Sequence, residues 1–588
     1  MCGIIANFDG RRPLPGELFH QSLEEVVSRR GPEGTKAYHN KESGVRLGHS
    51  MLALSEVGCN EQPYLYAKNG HKSALVFNGE IYNWKELAKK FKLSSTTDTQ
   101  TLLQGLVEVG PDFLKHVRGQ FGFIAQVNTN GKAKYLVGRD RYGIVPLGFA
   151  SDEHGNVGVA STWEALLKAG YQHHQLRSFP HGTLGVIEGG KMTINTFTKT
   201  RGFRGEKRLA ARVPRPLDLR NLLVRNIREQ IPQDPSKFFV AFGGKDSASI
   251  TATVARATKG KFGGAITIVS EDDKNGGDLP GVLETVKMLE KEGIKINHYV
   301  GVLTTGFAKK RIDHLLNLLG PSYFNLECAL AEDAFAHVAK KHGAKAMMTA
   351  GGPDEAFYSY AHVHARVPQK QRDSVFDALN RQFADTECIR AGLVLGEHGL
   401  ENRVPYAFLT EYARRIPQKY KWGIINGKLE TKILFRQALK GIIPESLVNV
   451  QKETIRSATG AGRAIARVIA QDGEFQAKKA EIISEVLKSD WKMILTQAIK
   501  DPREILTEPK NTGEEASKQI ALGQVYVIWR WGKNNPEMYK LGARKFFGRP
   551  TKGIATEPAG PTASSQCFQC RDWYLPKAFV KKHFEVKK

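Results

Sequence analysis

Up to about residue 200 the apolar positions fall in short runs or strict alternation, the spacing of strands rather than helices. Ala74–Phe77, Phe121–Ala125 and Tyr135–Val137 are such runs, set between turn sequences such as "VNTNGK" and "SDEHGN". The pattern predicts a β-rich unit over 1–200. Across 198–216, "TKTRGFRGEKRLAARVPRP", periodicity fails and basic residues gather with proline, which predicts a linker. From 217 to 545 strand-like runs alternate with longer amphipathic ones: "KFFVAF", then "DSASITATVARATKG", then "GAITIVS". Such alternation predicts a mostly parallel α/β sheet, with helices dominating after about residue 400. Residues 550–566 are rich in Pro, Gly, Ser and Thr, and a basic segment follows, so 546–588 reads as flexible linker and tail.

Composition adds bounds. A chain of 588 residues is too long for one core, and its 41% hydrophobic and 25% charged residues are ordinary for a globular protein. No apolar run reaches the length of a membrane span, and the N-terminus lacks the charge and apolar pattern of a signal peptide. The six cysteines are scattered apart from Cys567 and Cys570, which predicts a reducing compartment, the cytoplasm, and no disulfide framework. The formal net charge of +26 suits a polyanionic partner, nucleic acid being the commonest, or equally a solvated basic surface, because the surplus is spread along the chain.

The chemistry begins at "MCGIIANFDG". An N-terminal nucleophile needs a reactive side chain at the first residue of the mature chain and a free α-amine as its base. Cys2 supplies both once Met1 is removed; the alternative is a small buried strand residue. Further along stand "RRGPEG" (29–34), "LGHSMLALSEVG" (47–58), "VFNGEIYNWKEL" (76–87), "TTDTQTLL" (96–103), "RGQFGFIA" (118–125) and "VGRDRYGIVPLGFA" (137–150). In this order they resemble the glutaminase domain of class II glutamine amidotransferases, most closely that of the asparagine synthetases. The resemblance implies an N-terminal nucleophile αββα sandwich in which the Cys2 thiolate attacks the side-chain amide of glutamine. It implies that Asn78 and Gly79 form the oxyanion hole, that Asp98 binds the α-ammonium, and that Arg30, with Gly31, lies beside the substrate. One position departs: where the family carries an arginine that clamps glutamine's α-carboxylate, this chain has Met51. Either another basic residue such as Arg46 takes over, or glutamine binding is weakened, altered or lost.

"FFVAFGGKDSASITATVARAT" (238–258) reads as strand, glycine turn and helix, an anion nest at a helix N-terminus or a plain strand-to-helix turn. "MMTAGGPDEAFYSY" (347–360), "EHGLENRVPY" (397–406) and "GKLETKILFRQALKGIIPESLVNVQKE" (427–453) follow, in the order of the asparagine synthetase C-terminal domain. That resemblance implies a parallel α/β ATP-pyrophosphatase domain with a helical C-terminal part, which adenylates a carboxylate and lets ammonia displace AMP. It implies ATP and Mg²⁺ as cofactors, with Val240, Gly243, Gly244, Asp246 and Ser247 around ATP. Asp246 and Asp354 would hold the metal, Lys452 would neutralise phosphate charge, and Arg403 would frame the site. Again there are departures. Phe242 replaces a serine, Lys245 replaces an apolar residue, and Gly351 stands where the family has the carboxylate read as general base for the attacking ammonia.

In the tail, Cys567 and Cys570 make a single CxxC with only His583 as a nearby third ligand: half a zinc site, a degenerate knuckle, or nothing. Two functions follow. The first is an ATP-dependent amidotransferase of the asparagine synthetase type, taking glutamine and a carboxylate or carbonyl acceptor: aspartate, another small molecule, or a nucleotide or nucleic acid. The second is a catalytically degenerate scaffold with a binding or structural role. No membrane association is expected, and a homo-oligomer is compatible with either.

Overall fold

A computed structural model describes residues 2–54, 61–129, 131–197, 213–359, 372–425, 428–450, 453–489, 491, 512–536 and 539. Two six-stranded antiparallel sheets come first. One has the order β10-β8-β9-β1-β3-β2 and the other β12-β11-β7-β6-β5-β4. The strands are β1 (Gly3–Phe8), β2 (Thr35–Asn40), β3 (Val45–Ser50), β4 (Tyr64–Lys68), β5 (His71–Ile81), β6 (Gly119–Thr129), β7 (Lys132–Arg139), β8 (Gly148–Ser151), β9 (Val157–Ala160), β10 (Leu176–Ser178), β11 (Thr183–Glu188) and β12 (Lys191–Thr196). The three apolar runs predicted as strands lie inside β5, β6 and β7.

Period-two alternation builds the layers. Ile4, Ala6, Phe8, Val45 and Leu47 of the first sheet meet Ala74, Val76, Ile124 and Val137 of the second in one buried layer. The opposite faces are covered by helices: Leu75, Phe77 and Phe123 pack under Leu102, Leu103 and Leu106 of the helix Asp98–Glu108. On the other side Ile5 lies with Phe19 and Leu23 of the helix Gly16–Glu25. This is the expected αββα sandwich.

The second body holds a five-stranded parallel sheet of order β15-β14-β13-β16-β17, from β13 (Phe238–Ala241), β14 (Gly264–Ser270), β15 (His298–Leu303), β16 (Ala346–Met348) and β17 (Glu401–Arg403). A hairpin of β18 (Trp422–Ile425) and β19 (Lys428–Thr431) lies outside it. The helices Ala461–Gln471, Gly473–Lys488 and Thr512–Asn534 form the helical C-terminal part. From β13 the chain proceeds to β14 and β15 on one side and to β16 and β17 on the other. The strand order therefore reverses between β13 and β16, and the crevice beyond their C-terminal ends is the usual ligand position in such sheets. The two bodies share a core, since Ile5, Leu23 and Trp163 cluster with Leu326, Leu330 and Val394. Among the described residues no helix is long and apolar enough to cross a membrane. Most of the predicted linker, and the CxxC tail, lie outside the described residues.

Candidate active sites

Cys2 precedes β1 in phase with Ile4 and so belongs to the space between the two sheets. It is half-buried; the Leu52 N–H donates to its Sγ at 3.3 Å, and burial pushes its thiol up from the ordinary value. On β5, Ala74 and Val76 face inwards, so Asn78 and Glu80 share that face. Asn78 is wholly buried, and neither its Nδ2 nor its Oδ1 has a hydrogen-bond partner among the described residues. Leaving such a group unsatisfied costs about 1–3 kcal/mol, which a native fold retains where a ligand completes the bonds. Gly79 has φ +134°, and a Cβ there would lie 2.0 Å from the Gln120 carbonyl oxygen, so glycine is required.

Thr97 caps the next helix by accepting from the Gln100 N–H at 3.3 Å, which leaves Asp98 at its first turn. The Asp98 carboxylate accepts from the Ile81 N–H at 3.2 Å and the Thr99 N–H at 2.7 Å. It is thereby tied to the end of the strand that carries Asn78 and Gly79. Burial outweighs those two bonds and pushes it up to about 6.

The predicted arginines behave differently. Arg30 is fully buried and donates through Nη1 to the Gly392 carbonyl at 3.1 Å, in the other body; burial pushes its guanidinium down to about 10. It therefore joins the two bodies near Cys2. Arg46 is not a substitute for the missing clamp. It pairs with Asn7 in the β1–β3 register while Ser50 pairs with Gly3, about 13 Å further along the strand at 3.3 Å per residue, and its guanidinium is bound to Asp9 at 2.6 Å. Met51 exchanges backbone hydrogen bonds with Gly34 and Glu33.

At the switch crevice, Gly243 and Gly244 follow β13 and lead into the helix Lys245–Thr258. A Cβ on either would approach the Asp278 carboxylate, at 2.6 Å for Gly243 and 3.4 Å for Gly244. The Ser247 hydroxyl accepts from the Gly243 N–H at 2.8 Å and donates to the Gly244 carbonyl at 2.9 Å, so it braces the turn. Val240, expected around ATP, is wholly buried in the apolar core and laddered between Ala265 and Met348, one residue before the end of β13. Phe242 is equally buried, its ring 5.8 Å from that of His298, and anchors the loop from behind. Lys245 donates to the Val450 carbonyl at 2.6 Å, just before Lys452, which lies outside the described residues.

Asp246 and Asp354 come from the two sides of the crevice and meet on one cation that the motifs did not single out. The Lys432 ammonium lies 2.6 Å from Asp246 and 2.7 Å from Asp354 and is 1% exposed. Carboxylates close enough to share one ammonium can share one hard cation. Two carboxylates completed by substrate phosphates is the usual Mg²⁺ arrangement, so these residues fit that metal. Gly351 is backed by Phe383, whose ring carbon would stand 2.9 Å from a Cβ at 351. The place of the expected carboxylate is thus filled by an aromatic ring on a π-helical turn, Phe383–Glu387, with no motif to announce it.

Between the two sites runs a buried polar seam. Arg403 is fully buried, pairs with Glu401 at 2.9 Å and with Glu80, and donates to the Gln230 carbonyl at 2.5 Å. Gln120 donates to the Asn402 carbonyl at 3.0 Å, and Asn402 accepts from Thr349 at 2.9 Å. Burial and the neighbouring Glu401 push Glu80 up to about 7 against the pull of Arg403.

Residues 1–180 match a glutamine amidotransferase domain family, and residues 378–498 match an asparagine synthase family. Asparagine synthetase B [glutamine-hydrolyzing] of Escherichia coli is 25% identical over 483 residues, 78% of this chain and 83% of its own length. Asparagine synthetase [glutamine-hydrolyzing] 1 of Arabidopsis thaliana is 23% identical over 490 residues, covering 78% of each chain. Among solved structures, a glutamine phosphoribosylpyrophosphate amidotransferase from B. subtilis aligns at 14% identity with a TM-score of 0.29, over 60% of this chain and 82% of its own, too distant to carry an argument. With both domain matches and relatives aligned across most of its length, the chain belongs to the asparagine synthetase family.

Proposed function

We propose that this chain is an ATP-dependent glutamine amidotransferase that hydrolyses glutamine at Cys2 and delivers ammonia to an acceptor carboxylate or carbonyl activated at the crevice between Asp246 and Asp354. The buried, unpartnered amide of Asn78 beside the obligatory Gly79 carries the reading. Those donors suit an oxyanion, while the N–H of Leu52 is placed to stabilise the thiolate. The thiolate adds to the glutamine amide carbonyl, ammonia leaves, and water hydrolyses the thioester to glutamate. The free α-amine of Cys2, exposed by loss of Met1, takes the thiol proton and returns it to the leaving ammonia. At the crevice, Gly243, Gly244 and the helix behind them receive the phosphates. When bound, Mg²⁺ held by Asp246 and Asp354 offsets the charge of the departing pyrophosphate.

Intact-mass measurement after exposure to a glutamine-analogue electrophile tests this. The expected result is a chain lacking Met1 with one adduct at Cys2. A retained methionine, or an unlabelled Cys2, favours the second reading, a scaffold that has lost the chemistry. Met51 in place of the clamp and the Phe383 ring behind Gly351 are the observations on that side.

A pH profile adds an independent check. Only ionised Asp98 can pair with an ammonium, and its folded value is raised to about 6. Glutamine KM is therefore expected to be flat above about pH 7 and to rise roughly tenfold per unit below about pH 6. Asp98→Asn should remove that limb. A KM flat down to pH 5 would remove Asp98 from the binding role.

A further inference from the structure

We propose that Lys432 is a built-in counter-cation that holds the Asp246–Asp354 pair closed in the metal-free chain and withdraws when a divalent cation enters. The inference rests on the reading of those two aspartates as the metal pair.

Three elements meet at this point. Asp246 opens the helix after β13, Asp354 lies in the short helix Pro353–Ala356 after β16, and Lys432 follows β19 of the outlying hairpin. The ammonium is thus delivered across the crevice by a segment outside the sheet. Its Nζ is within 2.7 Å of a carboxylate oxygen on each side. A divalent ion would draw on the same two carboxylates, and a second cation held between them would strongly repel the ammonium already there. Binding of one is release of the other.

The backbone shows that the position is maintained rather than incidental. Lys432 has φ +53° and ψ +33°, a left-handed conformation that costs a side-chain-bearing residue and that folds keep where position matters. It is locked there by the Arg436 N–H, which donates to the Lys432 carbonyl at 2.8 Å, and by the Ile433 N–H, which donates to the Lys421 carbonyl at 3.0 Å. The ring of the buried Phe435 lies 5.7 Å from Nζ and helps to seat the ammonium between the carboxylates.

The test uses the full chain without nucleotide. Free Mn²⁺ is followed by electron paramagnetic resonance during titration of the wild type, Lys432→Gln and Lys432→Arg, with Asp354→Asn as the baseline. Lys432→Gln is expected to bind one Mn²⁺ at least tenfold more tightly than the wild type, and Lys432→Arg no more tightly. In parallel, lysine acetylation of the wild type is mapped by mass spectrometry with and without saturating Mn²⁺. Lys432 should pass from protected to several-fold more reactive, a readout that stands even if Lys432→Gln does not fold. Equal Mn²⁺ affinity in wild type and Lys432→Gln, or unchanged acetylation of Lys432 at saturation, overturns the competition while the metal pair survives. Failure of every variant to bind Mn²⁺ above the Asp354→Asn baseline, both without nucleotide and in a repeat with a non-hydrolysable ATP analogue present, overturns both.

Discussion

Arg403→Leu is expected to destabilise the chain by about 3–5 kcal/mol at pH 8, the range found when one partner of a buried ion pair is removed. The guanidinium is wholly buried and serves Glu80, Glu401 and the Gln230 carbonyl at once. Leucine satisfies none of them. It leaves two carboxylates from different bodies facing each other in a region where burial already disfavours charge. Glu80, already pushed up to about 7 by burial, would lose the pull of Arg403 and hold its proton to still higher pH. A carboxylate whose folded value is raised takes up protons on folding, and the stability this gives is lost as pH climbs through the interval between the two values. The penalty should therefore be smaller at pH 5 than at pH 8, which a pair of urea titrations would show. A loss below about 1 kcal/mol, or one independent of pH, would mean that solvent reaches the seam and that Arg403 is dispensable to it.

That seam shows where sequence reading stops. The strands were legible because alternation is local: Ala74–Phe77 could be assigned to β5 without knowing its neighbours. The same alternation carries Asn78 and Glu80 onto the inner face. The glycine turn was legible as strand, glycines and helix, whereas Asp354 was singled out only through the resemblance of its motif; the parallel sheet brings the two loops to one end. Arg403 could be placed in a motif, but its partner Glu80 lies 323 residues away, and no periodicity reports such a pairing. Lys432 stood inside a recognised stretch and still gave no sign of its role, because that role is set by where two other loops come to rest. Phe383 belongs to no motif at all. Its importance follows only from the missing side chain at Gly351, so the departure was visible in the sequence and its structural counterpart was not. Arg46 illustrates the converse error, since nearness in sequence along a strand is distance in space.

Asn78→Ala is expected to lower glutamine hydrolysis by about 10²–10³-fold, the usual cost of removing one oxyanion donor. The fall should appear equally in kcat and kcat/KM, because charge on the amide oxygen develops only in the transition state. What separates this outcome from general damage is stability. The Asn78 amide is buried with both polar atoms unpartnered among the described residues, so alanine removes an unsatisfied group and its desolvation cost. The variant should melt at the same temperature as the wild type or higher. Gly79→Ala should be as inactive and distinctly less stable, since its methyl would meet the Gln120 carbonyl oxygen at 2.0 Å from a backbone at φ +134°. Strand β5 must then separate from β6, where Gly79 pairs with Phe121. Two neighbouring substitutions with the same loss of turnover and opposite effects on melting would place the catalytic requirement on the Asn78 amide and the architectural one on Gly79. If Asn78→Ala instead melts well below the wild type, its amide is a structural element of the sandwich, and the oxyanion hole has to be sought elsewhere around Cys2.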